Sequence, residues 1–275
     1  MPPAKRGARR TRASSQVPLR TRVARPAERP VIQIQPESLS TFNESVNIML
    51  YGNSGVGKTV LAGGAPNAYF LSTEKGAISA QRTGSKAELI RAPDWDHVEA
   101  GLNWADENLD ATNWLIIDSI SKMQMLLIRW ILANEHEERD ADLDVPQIQH
   151  HQKWQNMYMR FIDRIVDAKY NSILIATAMH REDPDGESLV MPAITGKDYT
   201  ISAYCCAQMT DVLYYGVARK SGRDDPTVRR ILTETYPPYF AKDWSTNLPR
   251  WIDIEEGEYD AMEWIVAQIM SAEPA

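Results

Sequence analysis

The run Gly52-Asn53-Ser54-Gly55-Val56-Gly57-Lys58-Thr59 constrains this chain more than any other feature. It satisfies the spacing G-x-x-x-x-G-K-[ST]. It follows the apolar run Val46 to Tyr51 and leads into Val60-Leu61-Ala62, so it stands where a strand gives way to a helix. Glycines let the backbone curl until successive N–H groups point inward, and the start of a helix adds positive potential. A loop of this kind cradles phosphate. Lys58 supplies a point charge for β- and γ-phosphates, and the Thr59 hydroxyl is placed to ligate Mg²⁺.

The rest of the chain supports an α/β domain with a largely parallel sheet flanked by helices. Val46 to Tyr51, Ala68 to Ser72, Trp114 to Ile117 and Ser172 to Thr177 are short apolar runs bounded by polar or turn residues, the pattern of buried parallel strands. Asp96 to Asn108 and Gln147 to Tyr170 read as helices; in the second, Met157, Phe161, Ile162 and Ile165 recur at helical spacing. Asp211 to Ala218 and Val228 to Thr235 flank a polar turn at Lys220 to Pro226 and read as a C-terminal β-hairpin. Tyr259 to Met270 reads as a closing amphipathic helix. With 43% hydrophobic residues the chain can bury a sizeable core. The longest apolar run, Met123 to Ala133, is interrupted by Gln124 and Arg129 and is too short to span a membrane. The two cysteines, Cys205 and Cys206, are adjacent, which argues against a disulfide scaffold or a CxxC zinc module. His150 and His151 lack partners at metal spacing. A cytoplasmic protein with no membrane partner is expected. The tryptophans, among them Trp130, Trp154, Trp244 and Trp251, are expected in the core or at a subunit interface.

A phosphate loop also needs an acid near its metal. Trp114-Leu115-Ile116-Ile117-Asp118 supplies one at the carboxyl edge of an apolar strand, where α/β sheets bind ligands. Hydrolysis needs a group that orients or deprotonates water. Glu74 is the leading candidate, since it follows the strand Ala68 to Ser72. His180, with Thr177, lies past the end of Ser172 to Thr177 and is a candidate sensor of the γ-phosphate.

Charge is distributed unevenly. Residues 1 to 30 hold nine Lys or Arg against Glu28, whereas the remaining 245 residues carry a net charge of −15. The first 35 residues, rich in Arg and Pro, have no apolar periodicity and read as a disordered basic tail, leaving 36 to 275 as the folded domain. The tail lacks the apolar segment of a secretory signal. Glu135 to Asp144 holds six acids and reads as a solvated loop or a dock for that tail.

Together, the phosphate loop, Phe70 to Gly76 (FLSTEKG), Trp114 to Ser121 (WLIIDSIS) and Ile173 to Glu182 (ILIATAMHRE) resemble the phage-encoded RecA-like ATPases, a nucleotide-binding, AAA-type family that includes single-strand annealing recombination proteins. The resemblance covers roughly Ser45 to Ile252. It implies a RecA-like P-loop core, ATP and Mg²⁺ as cofactors, Glu74 as the catalytic glutamate and His180 as a polar sensor. Ala241 to Pro249 is similar to the family's K-x-R finger, with Lys242 in the lysine position and Trp244 where the arginine is expected. A second departure is the acidic loop Arg181 to Glu187, in a region where related proteins bind DNA; such a loop repels phosphate backbones.

The expectation is therefore a Mg²⁺-dependent ATPase acting on single-stranded DNA in phage recombination or replication, as a homo-oligomeric ring or filament in the host cytoplasm. DNA contact would fall to the basic tail. Two rivals remain. A P-loop kinase would need an Arg-rich lid, where this chain offers an acidic loop. A non-catalytic switch protein would use nucleotide as a signal and the tail as a tether.

Overall fold

Six buried residues, Asn47–Gly52, form β1 at the centre of the sheet and carry the chain directly into the glycine loop. The computed structural model describes residues 45–134, 148–183, 185–196, 200–220, 227–255 and 260–271. The basic tail, the acidic stretch 135–144 and the turn at 221–226 therefore lie outside the described residues.

The elements run in the order β1, α1 (Lys58–Ala62), β2 (Ala68–Ser72), α2 (Ala77–Arg82), β3 (Glu88–Arg91), α3 (Trp95–Asn108), β4 (Trp114–Asp118) and α4 (Ile120–Asn134). They continue through α5 (Ile148–Val166), β5 (Asn171–Glu182), β6 (Ser188–Pro192), α6 (Thr200–Gln208), β7 (Asp211–Arg219), β8 (Thr227–Leu232), β9 (Lys242–Asp243), β10 (Trp251–Ile254) and α7 (Ala261–Met270). Hydrogen bonding orders the sheet β10-β8-β7-β1-β5-β4-β2-β3, with β6 on β5 and β9 on β7. The pairs from β7 across to β3 are parallel; β8, β10, β6 and β9 join antiparallel. This mostly parallel, mixed sheet with helices on both faces fits an α/β P-loop NTPase fold.

Both faces are dry, which explains why the central strands are apolar without alternation. Ile48 and Leu50 of β1, Ile116 of β4 and Ile173 of β5 pack with Leu61 of α1, Ala80 of α2 and Met262 of α7 on one side. Met49, Leu115, Ile117 and Leu174 pack with α3, α4, α5 and α6 on the other. The period-2 alternation of strand side chains thus feeds two cores. Gln124 lies buried in α4 at no polar cost, because its side-chain amide donates to the Thr195 carbonyl and accepts from Thr195 N–H and Oγ1.

One strand boundary, one edge strand and the placement of the tryptophans go beyond the sequence reading. The fifth strand does not end at Thr177 but runs on to Glu182, because Ala178 to Glu182 pair antiparallel with Ser188 to Pro192. β3 is a largely exposed edge strand, and its side chains carry little of the apolar signal that marks the central strands. Trp154 is buried, but Trp244 and Trp251 are 62% and 48% exposed, so neither belongs to the core.

Candidate active site

The carboxyl ends of the parallel strands converge on a cleft of about 380 Å³ that contains most of the chemistry singled out in the sequence. Its lining includes Ser54, Gly55, Gly57, Lys58 and Thr59 from the loop and Glu74 and Ser79 from the segment after β2. It also includes Asp118 and Ser119 at the end of β4, Thr177 of β5 and Arg229 of β8. A larger cleft of about 710 Å³ lies elsewhere, between Gly63–Tyr69 and Thr83–Glu88. Its lining shares only Val60 with the smaller cleft and includes none of the residues singled out for chemistry, so the smaller one is the candidate site.

The loop conformation depends on its glycines. Gly55 and Gly57 have φ of 83° and 101°, a region that side chains with a Cβ rarely adopt. Gly52 has another reason to be small: a Cβ there would lie 1.9 Å from the Tyr215 carbonyl oxygen of β7. Lys58 closes the loop on itself, its Nζ donating to the carbonyls of Gly52 and Asn53, each at 2.8 Å. Burial lowers the Lys58 pKa below its ordinary value, opposed by the carboxylates of Asp118 and Glu74.

Asp118 and Thr59 meet across the cleft floor. Thr59 Oγ1 donates to Asp118 Oδ2 at 3.0 Å. Burial raises the Asp118 pKa, the Thr59 hydrogen bond and Lys58 oppose that rise, and Glu74 adds to it. The Asp118–Ser119 peptide is cis. Ser72 Oγ ties the next segment to this strand end: it donates to the carbonyls of Glu74, at 2.9 Å, and Asp118, at 3.2 Å. Thr73 N–H also donates to the Asp118 carbonyl, at 3.0 Å. The exposed Glu74 carboxylate is thereby carried on a backbone fixed to Asp118.

The donor set suits a hard divalent cation held partly by its ligands' own oxygens. Thr59 and Asp118 present a hydroxyl and a carboxylate together, and Gly76 leaves the adjoining space open. A Cβ at Gly76 would come within 3.1 Å of Asp118 Oδ2 and 3.5 Å of Thr59 Oγ1. Among the described residues no group of three or more His, Cys, Asp or Glu could hold a metal ion by itself. Mg²⁺ bound by one or two protein oxygens plus phosphates and water matches this arrangement.

Two expected residues lie elsewhere. His180 sits in the β5 extension opposite Val190, three positions beyond Thr177, and is exposed rather than part of the cleft lining. Lys242 lies on β9, paired with Val212. Its Nζ donates to the Ala207 carbonyl at 3.2 Å and stands 4.8 Å from the Trp244 ring centroid. Neither lines this chain's own cleft. Arg229 and Ser79 do line it, and no motif marked them. Arg229 arrives through the pairing of β8 with β7 and of β7 with β1; the sequence displays the hairpin but not its place beside β1.

No helix among the described residues is long and apolar enough to cross a membrane. No curated protein matches the chain by sequence. Residues 44–245 match a family model described as an AAA domain. That span covers most of the chain and contains the loop, Glu74 and Asp118, so the chain belongs to the AAA family of nucleotide-binding P-loop ATPases.

Proposed function

We propose that this protein is a Mg²⁺-dependent, RecA-like ATPase that works on single-stranded DNA as a homo-oligomer in phage recombination or replication. The observation that carries the hydrolytic part is the convergence of Lys58, Thr59, Asp118 and Glu74 on one cleft. Gly52 to Thr59, including Asn53, Ser54 and Val56, wrap the phosphates, with Lys58 leaving its two loop carbonyls for phosphate oxygens. Thr59 and Asp118 would hold Mg²⁺, which would supply positive charge to offset the negative charge of the phosphates. Glu74 orients the attacking water and accepts its proton as the bond from the γ-phosphorus to the bridging oxygen breaks, giving ADP and phosphate. Lys242 would act on a neighbouring subunit's site.

Support for a nucleic-acid partner comes from the surface as well as from the basic tail. Tyr236, Trp244 and Trp251 are exposed aromatics, and each has a cation near its ring: Arg250 at 5.3 Å, Lys242 at 4.8 Å and Arg230 at 5.4 Å from the centroids. Exposed rings interleaved with cations suit the stacking of unpaired bases.

One observation favours a second reading, a nucleotide-controlled switch with little turnover. Lys242 is engaged within its own chain by Ala207 and Trp244, and Trp244 occupies the position of the expected finger arginine. Glu74→Gln separates the two readings. In an ATPase it abolishes phosphate release by two orders of magnitude or more while ATP affinity stays within about threefold. Loss of ATP binding in this variant would contradict the role of Glu74, and unchanged slow turnover would favour the switch.

A further inference from the structure

We propose that Arg229 is a second cationic clamp on the nucleotide, gripping from β8 the phosphate oxygens that ADP and ATP have in common. The proposal rests on the reading of the cleft as a nucleotide site.

The geometry begins with strand alternation. Arg229 and Arg230 are neighbours on β8, so their side chains leave opposite faces of the sheet. Arg230 is fully engaged: its guanidinium makes a two-pronged ion pair with Asp253 at 2.5 and 2.8 Å and lies over the Trp251 ring. Arg229 faces the other way and lines the cleft. Its Nε and Cζ stand 3.7 and 3.9 Å from where a Cβ on Gly57 would be, beside the turn of the phosphate loop.

Among the described residues the Arg229 guanidinium makes no hydrogen bond and no ion pair. This contrasts with the rest of the cleft, where the carboxylates of Asp118 and Glu74 offset the charge of Lys58. Those two are the only acids among the lining residues, and both come from the β4 and β2 side of the loop. Arg229 comes from the opposite side, beyond β7. A cation is thus presented to the phosphate loop with no acid on its own flank among the described lining residues.

The backbone that presents it is held on both sides, Arg229 pairing with Val217 of β7 and with Ile254 of β10. A planar guanidinium on a fixed strand can grip two phosphate oxygens at once, which a lysine cannot do. Because this flank lies away from Thr59, Asp118 and Glu74, the oxygens it meets belong to the phosphates nearer the nucleoside, present in both ADP and ATP.

The test is equilibrium binding of fluorescent ADP and ATP analogues, with Mg²⁺, to the full-length wild type and to Arg229→Ala, Arg229→Lys and Lys58→Ala. Loss of a charge-assisted contact should weaken both nucleotides by roughly ten- to a hundredfold in Arg229→Ala. Arg229→Lys should recover part of that loss. Melting temperature without nucleotide should stay close to the wild-type value in both variants, since among the described residues the guanidinium has no hydrogen bond or ion pair to lose. Wild-type affinity in Arg229→Ala, or a loss confined to ATP, overturns the clamp. If either occurs while Lys58→Ala abolishes binding, the nucleotide site stands and only the role of Arg229 falls. A wild type that binds neither nucleotide overturns both.

Discussion

Asp211 gives the sharpest prediction about stability. It opens β7 fully buried, with Oδ2 accepting from Thr210 Oγ1 at 2.7 Å and Asp243 of β9 directly opposite in the ladder. Burial, reinforced by the Asp243 carboxylate, pushes its pKa up to about 7, against the opposing hydrogen bonds from Thr210 and the Trp244 backbone. In the unfolded chain an aspartate titrates near its ordinary value of 3.8. Between these values the folded state holds a proton that the unfolded state has released, so stability falls as pH rises from about 4 to about 7 and the deficit is complete above 7. A gap of about three pH units, at about 1.4 kcal/mol each, sets this deficit at about 4 kcal/mol. Asp211→Asn keeps the shape and removes the titration. It should gain up to that amount at pH 8 and nothing at pH 4, which for a domain of this size is a rise in Tm of roughly 8–16 °C at the higher pH. Thermal melts of both proteins across the range measure it. An equal difference at pH 4 and pH 8, or a variant less stable at pH 8, would refute the reasoning.

Two other perturbations follow from the site and the surface. Gly76→Ala should place a methyl group against Asp118 Oδ2 and Thr59 Oγ1 and lower Mg²⁺-dependent ATP turnover by roughly tenfold or more, while the fold, read by circular dichroism, is retained. A steady-state assay titrated with Mg²⁺ checks it; wild-type turnover would mean that the metal is held elsewhere. Deleting residues 1 to 30 removes eight net positive charges and should weaken single-stranded DNA binding and flatten its salt dependence. Trp244→Ala combined with Trp251→Ala should weaken it with the salt slope unchanged, as measured by fluorescence anisotropy over a salt series.

The parts of the site legible in the sequence are those whose chemistry is local. A phosphate loop must show its glycines, Lys58 and Thr59 in one stretch, and Asp118 shows itself by ending a run of four apolar residues. Glu74 was within reach for the same reason, as it follows β2 by two residues. Arg229 was not, because its entry into the cleft depends on which strands lie beside β1. The extent of β5 was hidden too: beyond Thr177 its residues are held by β6 rather than by a core on both faces. Helix α4 shows in the sequence only as an apolar run broken by Gln124 and Arg129, since the partner that satisfies Gln124 is Thr195, far along the chain. Residue type alone did not separate the buried Trp154 from the exposed Trp244 and Trp251.

Phosphate release from Mg²⁺-ATP by the purified full-length protein decides whether this P-loop ATPase answers to single-stranded DNA. The assay is run with and without single-stranded DNA, beside Lys58→Ala. The predicted result is turnover that DNA stimulates and that the substitution abolishes. Turnover that persists in Lys58→Ala, or that is absent with and without DNA while ATP still binds, would contradict it.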